Sequence, residues 1–253
     1  MIDLHCHIIP WVDDGADNAE TACLMAEHAL RNGVKTIVAT PHSNLHGACR
    51  NFYGPAYEKR FALFRALLRQ HKIDLEVLPG AEVFIDSMDT VRYIDSHELV
   101  TLNHSRYLLV EFEFSSSGSF ISSALESIAK RGLIPVVAHP ERYAAVQRKP
   151  MLAARWFEKG YILQLNKGSI LGRLGNGAEC ASLELLRCGI AHVIASDAHD
   201  TYYRPTGFHS LLPLLNRLCS PDYSRLLLQT NPCRIIQDEV IPPPHSEQHE
   251  AYL

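Results

Sequence analysis

The sequence predicts an α/β fold built on a parallel sheet. Short apolar runs alternate with helical patterns along the whole chain, as repeated strand–helix–strand units require. A length of 253 residues, 47% of them hydrophobic, can build a sizeable core, either one large α/β domain or two small ones. No internal repeat or low-complexity stretch divides the chain, so residues 1–253 are read as one domain. Its end, 241–253, opens with Pro242, Pro243 and Pro244 and is expected to fray.

Seven strands are expected: Met1 to Leu4, Lys35 to Thr40, Leu75 to Leu78, Tyr107 to Phe112, Ile134 to Ala138, Tyr161 to Leu165 and His192 to Ser196. The helix after the first strand starts at Asp17 with Glu20 three residues on. It carries an apolar face through Leu24, Ala26, Ala29 and Leu30 and stops at Gly33. Further helices are expected at Ala56 to His71, Phe120 to Arg131, Pro150 to Lys159, Ala178 to Cys188 and Phe208 to Leu218. A last one is opened by Ser220-Pro221-Asp222.

Composition removes several classes. Lys and Arg total 24 against 28 Asp and Glu, a net charge of −4, which is not the composition of a polyanion binder and disfavours a nuclease. Apolar runs such as Ile134 to Ala138 break well short of the roughly 20 residues that a spanning helix needs. The opening Met-Ile-Asp-Leu-His has neither a basic region nor a small-residue cleavage site, and a cytoplasmic protein is expected. Seven cysteines (Cys6, Cys23, Cys49, Cys180, Cys188, Cys219, Cys233), an odd number without C-x-x-C, argue for reduced thiols.

The chemistry collects at strand ends. His5 and His7, His42, Glu82, Glu111, His139, Asn166, and Asp197 with His199 stand there in turn. In a parallel α/β barrel such positions converge on the face that carries active sites. One His or Glu at a strand end is usually a cap or a surface group, but the set together reads as a metal site. His5 and His7, two apart, project to the same side of an extended strand, and Asp197-Ala198-His199 repeats that spacing. Prolines in Thr40-Pro41-His42 and His139-Pro140-Glu141-Arg142 stop the strands and stiffen the turns. Asp13-Asp14-Gly15 alone is as readily a simple turn.

His5-Cys6-His7-Ile8-Ile9-Pro10, Val12-Asp13-Asp14-Gly15, Thr40-Pro41-His42, Gly80-Ala81-Glu82, His139-Pro140-Glu141-Arg142 and Ser196-Asp197-Ala198-His199 together resemble the PHP (polymerase and histidinol phosphatase) superfamily. Within it the chain is most similar to the bacterial tyrosine-protein phosphatases encoded in capsule and exopolysaccharide clusters. The resemblance, over roughly residues 1 to 240, implies a distorted (β/α)7 barrel with three divalent metal ions at the C-terminal face of the strands. It puts His5, His7, Glu82 and Asp197 on one ion. Glu82, Glu111 and His139 fall on the second, and Asp14, His42 and His199 on the third. It also implies catalytic roles for Arg142, Arg204 and His199. The expected partner is a phosphotyrosine protein, a bacterial tyrosine kinase of polysaccharide synthesis, with neither nucleic acid nor membrane insertion.

Two positions depart from the family pattern: Cys6 stands where a small hydroxyl residue is usual, and Val110-Glu111-Phe112-Glu113 lacks the usual proline, so Glu113 competes with Glu111 as ligand. A mixed His and carboxylate set independently suits Mn, Fe or Zn, with Mn expected here, and is too rich in nitrogen for a pure Mg or Ca site. Arg142 and Arg204 follow ligand positions closely enough to grip phosphoryl oxygens, although either alone would read as a surface charge.

Competing readings are a histidinol-phosphatase-like small-molecule phosphoesterase, an exonuclease, and a metal-stabilised regulator without turnover. Cys219 to Arg225 matches the C-x5-R loop of thiol-dependent phosphatases in form but has no glycine to cradle phosphate and reads as a helix start. No G-x-S-x-G elbow or G-x-x-x-x-G-K-[ST] loop occurs. The loop Ser43 to Gly54, with Arg50, Phe52 and Tyr53, offers either substrate contacts or packing anchors.

Overall fold

The computed structural model describes residues 1–45 and 49–242; the expected fraying beyond residue 242 and the side chain of Arg50 lie outside the described residues. The strands are β1 (Ile2–Cys6), β2 (Thr36–Ala39), β3 (His42–Leu45), β4 (Cys49–Arg50), β5 (Glu76–Pro79), β6 (Glu82–Phe84), β7 (Tyr107–Glu111), β8 (Ile134–Ala138), β9 (Ile162–Asn166) and β10 (Val193–Ala195). All seven expected positions are filled, β8 with the expected bounds and the others with ends shifted by at most two residues. Three strands were not foreseen, and two of these are continuations. Pro41 has no N–H to donate, so β2 breaks before it and resumes as β3, while β5 bends at Gly80-Ala81 and resumes as β6.

Two sheets result, β1-β2-β5 and β10-β9-β8-β7-β6-β3-β4, parallel throughout except for the antiparallel pair β3–β4. Because β3 pairs with β6 as β2 pairs with β5, two bent strands carry the chain order from one sheet into the other. No single closed ladder forms among the described residues. The outer ends meet only at their C-terminal tips, where Cys6 bridges Ala198, the His7 N–H donates to the Ala198 carbonyl at 2.9 Å and the Asp197 N–H to the His5 carbonyl at 2.8 Å. One buried inner cluster nevertheless draws Leu4, Val38, Leu109, Val136, Ile162 and Val193 from six strands, with Leu78 packed against it. The strands thus wrap round a shared interior and bring their C-terminal ends together.

The helices are α1 (Ala19–Arg31), α2 (Pro55–Gln70), α3 (Gly118–Ala129), α4 (Ala144–Arg148), α5 (Met151–Glu158), α6 (Lys167–Ile170), α7 (Asn176–Arg187), α8 (Leu212–Leu218), α9 (Pro221–Arg225) and α10 (Asn231–Ile236). The expected start of α1 and one residue of its face, Leu24, need correction, while Ala26 and Ala29 are buried and Leu30 packs on the core as expected. Asn18, not Asp17, is the cap, its side chain accepting from the Thr21 N–H at 2.8 Å. Leu24 is 43% exposed, and the buried stripe is Ala22, Cys23, Met25, Ala26 and Ala29. Small side chains let the helix lie close to the sheet, which a count of large apolar residues misses. Gly33 ends the helix as expected, at a φ of +78°. α8 begins four residues later than expected, and α4 and α6 were not foreseen, since four or five residues carry too little periodicity to be seen, whereas the last expected helix, opened at Ser220, runs on through a wide turn at Leu226–Thr230 into α10.

Gly80 is required where β5 bends, because a Cβ there would fall 2.6 Å from Val38 Cγ1. The bend is clamped from α2: the buried Tyr57 hydroxyl donates to the Gly80 carbonyl at 2.7 Å and accepts from the Gly80 N–H at 3.0 Å. Tyr57→Phe would strand two buried backbone groups and should cost about 1–3 kcal/mol of unfolding free energy. Urea denaturation measures it, and a variant as stable as the wild type would show that the clamp is not needed.

Candidate metal centre

Every strand-end residue singled out in the sequence comes to one place. His5, His7, Glu82 and Asp197 form one group whose ligand-type atoms all lie within 4.8 Å of one another; His7, Asp14, His42 and His199 form a second, and His42, Glu82 and Glu111 a third. His5 Nε2 is 3.2 Å from Glu82 Oε2 and 3.4 Å from Asp197 Oδ1, and His7 Nε2 is 3.3 and 3.5 Å from the same atoms. His139 Nε2 faces Glu82 Oε1 at 3.1 Å and Glu111 Oε1 at 3.4 Å. Asp14 Oδ1 lies 3.5 Å from His42 Nε2 and 3.4 Å from His199 Nε2. Glu82 is central, its two oxygens facing four different imidazoles. Glu113, beyond the end of β7, is exposed at the cavity wall, whereas Glu111 is buried in the cluster, which supports Glu111, the residue at the family's motif position.

Three of the imidazoles are fixed from behind. His5 Nδ1 bonds Gln164 Oε1 at 2.9 Å, His7 Nδ1 bonds Asp13 Oδ2 at 2.7 Å, and His199 Nδ1 donates to the Asp197 carbonyl at 3.0 Å. Each therefore presents Nε2 inward, the arrangement by which an outer partner orients a metal-ligating histidine. Asp13 also accepts from the His42 N–H at 2.9 Å and the Gly15 N–H at 3.0 Å. Gly15 sits so close to His7 that an added Cβ would lie 2.1 Å from the His7 carbonyl oxygen. His139 and Asp197 hold left-handed backbone, φ +35° and +50°, a strain that non-glycine residues carry mainly where a site demands it.

The electrostatics favour cations. Burial would push His5 down, but the charges of Glu82 and Asp197 outweigh it and hold it raised; His7 stands well above its usual range because Asp13 and its other acid neighbours overcome the same burial. Burial would raise Glu82 and Asp197, yet the imidazoles hold both well below the usual carboxylate range. Burial, then repulsion from Glu82 and Asp197, drives Glu111 well above it. His42 Nδ1, buried 3.2 Å from Glu82 Oε2 and 3.6 Å from Glu111 Oε2, makes no hydrogen bond among the described residues. An orphaned imidazole nitrogen aimed at carboxylates, one of them strained to ionise, fits a site for divalent metal ions.

The cluster floors an open cavity of about 260 Å³, whose wall includes Phe114, Arg142 and Arg204. Both guanidiniums turn to Asp197 Oδ2, Arg204 at 2.5 Å and Arg142 at 3.5 Å, and Arg142 lies 4.1 Å over the Phe114 ring. They are therefore not free surface charges. Asn166 donates to that same oxygen at 2.6 Å.

Several contributors were not legible in sequence. Gln164 could have been noticed as one of two polar residues in an apolar strand, two before Asn166 and so on its face. Buried Glu141, pushed up to about 7, holds the Asn166 N–H at 2.9 Å. Lys167, pushed down to about 8 by burial, ties the loop bearing Arg204 by donating to the carbonyls of Pro205 and Gly207 at 2.5 and 2.8 Å. The C-x5-R match dissolves: Ser220 caps α9, and burial pushes the Cys219 thiol up to about 11, away from nucleophilic use. In the loop Ser43 to Gly54, Phe52 packs on Tyr93 and Tyr53, itself exposed, on Tyr57 and His104.

Protons and cations should compete here. His5 and His7, raised above their unfolded values, stabilise the metal-free fold at low pH and lose that contribution as pH rises through their folded values. Ionising the raised Glu111 acts in the same direction. Added Mn²⁺ should therefore raise the melting temperature more at about pH 9 than at about pH 6, with proton release on binding. Equal shifts at both pH values, or none, would contradict the reading.

A family model described as capsular polysaccharide synthesis, CpsB/CapC, matches residues 1–237. The chain is 36% identical over 210 residues to the tyrosine-protein phosphatase YwqE of Bacillus subtilis (strain 168), covering 83% of this chain and 81% of that one. It is 29% identical over 249 residues to the tyrosine-protein phosphatase CpsB of Streptococcus pneumoniae, covering 95% and 100%. It superposes, at a TM-score of 0.86 and 33% identity, on a chain from crystal structures of YwqE from Bacillus subtilis and CpsB from Streptococcus pneumoniae, described as unique metal-dependent tyrosine phosphatases; 96% of this chain and 98% of that one are covered. With the model spanning nearly the whole chain, the protein belongs to the CpsB/CapC family of capsular polysaccharide synthesis.

Proposed function

We propose that the chain is a metal-dependent protein-tyrosine phosphatase that hydrolyses phosphotyrosine without a cysteine nucleophile. The observation that carries this is the set of three imidazoles locked through Nδ1, each presenting Nε2 to buried carboxylates on the floor of a cavity walled by two arginines. Three divalent ions, Mn before Fe or Zn, would be held by His5, His7, Glu82 and Asp197, by Glu82, Glu111 and His139, and by Asp14, His42 and His199. Such ions lower the pKa of water toward neutrality and neutralise phosphoryl oxygens.

The chain's own groups supply the rest. Arg142 and Arg204, partly exposed at the cavity wall, bind the phosphoryl oxygens, over which charge spreads during transfer. The Phe114 ring beneath Arg142 keeps that guanidinium from swinging away. His199, turned by its bond to the Asp197 carbonyl, fixes the side of the cavity nearest Asp14. A tyrosyl leaving group, with a pKa near ~10, departs as phenolate, so a dedicated general acid is not required. The family description supports a phosphoprotein of polysaccharide synthesis as substrate, and we assign a bacterial tyrosine kinase in the cytoplasm to that role. Among the described residues no helix is long and apolar enough to cross a membrane.

Chelation should abolish hydrolysis of aryl phosphate and Mn²⁺ should restore it, while Cys219→Ser keeps most activity. Loss of activity in Cys219→Ser with metals still bound would overturn the mechanism. Arg142→Ala and Arg204→Ala should each retain the metals but lose on the order of 10² to 10³ in rate, as when one preorganised donor is removed, with partial rescue by Lys. Variants within about threefold of wild type would remove the arginines from catalysis, and loss of metal would make them braces for Asp197 only.

A further inference from the structure

Three exposed aromatic residues sit in loops that reach this cavity, without themselves lining it. Trp11, Tyr202 and Tyr203 are 68%, 79% and 78% exposed, the most exposed aromatics among the described residues. Single exposed aromatics are ordinary on a protein surface. These three share two loops, and both loops deliver side chains to the cavity: Asp14 follows Trp11 by three residues, and Arg204 follows Tyr203 directly. The loops meet across it, with Asp14 Oδ1 3.4 Å from His199 Nε2.

Neither loop is slack. The first is closed by the Trp11 N–H donating to the Ala16 carbonyl at 3.1 Å and the Ala16 N–H to the His7 carbonyl at 3.0 Å. Trp11 itself holds left-handed backbone, φ +61°, an uncommon and costly conformation for a bulky residue. With its indole in water it returns little burial for that cost. In the second loop Asp200 Oδ1 accepts the N–H groups of Tyr202 and Tyr203, both at 2.6 Å, and of Arg204 at 3.1 Å. One carboxylate thus sets the turn that presents both tyrosines, whose rings pack edge to face at 4.9 Å. Rigid aromatics on ordered loops give contact area at small cost in entropy, and such residues dominate binding surfaces.

We propose that Trp11, Tyr202 and Tyr203 form a docking rim for the polypeptide around the phosphotyrosine, selecting an extended segment with apolar or aromatic neighbours. The inference rests on the phosphatase reading, because only that reading fixes where the phosphoryl group lands. Chain geometry sets the reach. Trp11 lies within about 11 Å of Asp14 between Cα atoms, and an extended peptide covers roughly 3.4 Å per residue. Neighbours within about three residues of the phosphotyrosine are therefore within reach of the rim, whereas a small aryl phosphate is too short to span that distance.

The test compares metal-loaded wild type with Trp11→Ala and with the double variant Tyr202→Ser and Tyr203→Ser, on para-nitrophenyl phosphate and on a phosphotyrosyl peptide with Leu and Phe flanks. The variants should raise the peptide KM by about tenfold, leave its kcat unchanged and leave aryl phosphate turnover unchanged. Of the chain's two tryptophans, Trp156 is 1% exposed, so a binding-induced change in emission reports Trp11. A non-hydrolysable phosphonate analogue of the peptide should shift that emission in wild type and not in Trp11→Phe, and inorganic phosphate should not shift it. Equal losses on both substrates, an unchanged peptide KM, or emission unmoved at saturating analogue would overturn the rim. A metal-loaded wild type that turns over neither substrate would instead overturn the phosphatase reading beneath it.

Discussion

Buried like charge is the constraint on which the rest of the structure depends. Glu82, Glu111 and Asp197 are all but removed from water at the ends of three strands, close enough that their charges act on one another. Burying ionised carboxylates costs several kcal/mol each unless opposite charge meets them. Imidazoles from five strand-end positions meet part of that charge, and two arginines share one oxygen of Asp197. What is left over, a raised Glu111 and an orphaned nitrogen on His42, is what divalent cations would resolve.

The fold keeps this arrangement from relaxing. β1 and β10, the outer strands of different sheets, are stitched through Cys6, His7, Asp197 and Ala198, so the seam between the sheets is built from the candidate ligands' own backbone. Gly80 and Gly15 permit approaches that any side chain would block, one bending β5 toward Glu82 and the other folding the Asp13 turn against His7. Asp13, Gln164 and the Asp197 carbonyl then hold the imidazoles in orientation. Strain at His139 and Asp197 is thereby spread over a network that already needs both residues.

Strand positions were legible from apolar runs of four to six residues, and His5-x-His7 marked the ligands of the first strand, but Asp197 and His199 lie beyond β10, with Asp197 in left-handed backbone, so a loop and not the period of a strand brings them together. The breaks in β2 and β5 were less legible, since what decides them is the neighbour that Gly80 must avoid, Val38, 42 positions earlier in the chain. On α1 the expected Ala26, Ala29 and Leu30 face the core, and only Leu24 points to solvent, because close packing favours the smaller side chains. Glu141 and Lys167 act through contacts that no spacing rule encodes, and Glu113 is separated from Glu111 by where β7 ends. The family motifs helped most where physics alone was ambiguous, at Asp14, whose loop reads locally as a turn.

The most direct test of a multinuclear metal centre is anomalous diffraction from crystals of the active protein, recorded on both sides of the Mn, Fe and Zn absorption edges. Three peaks are expected: one among His5, His7, Glu82 and Asp197, one among Glu82, Glu111 and His139, and one among Asp14, His42 and His199. Crystals of fully active protein with no anomalous density at these side chains would contradict a metal centre there.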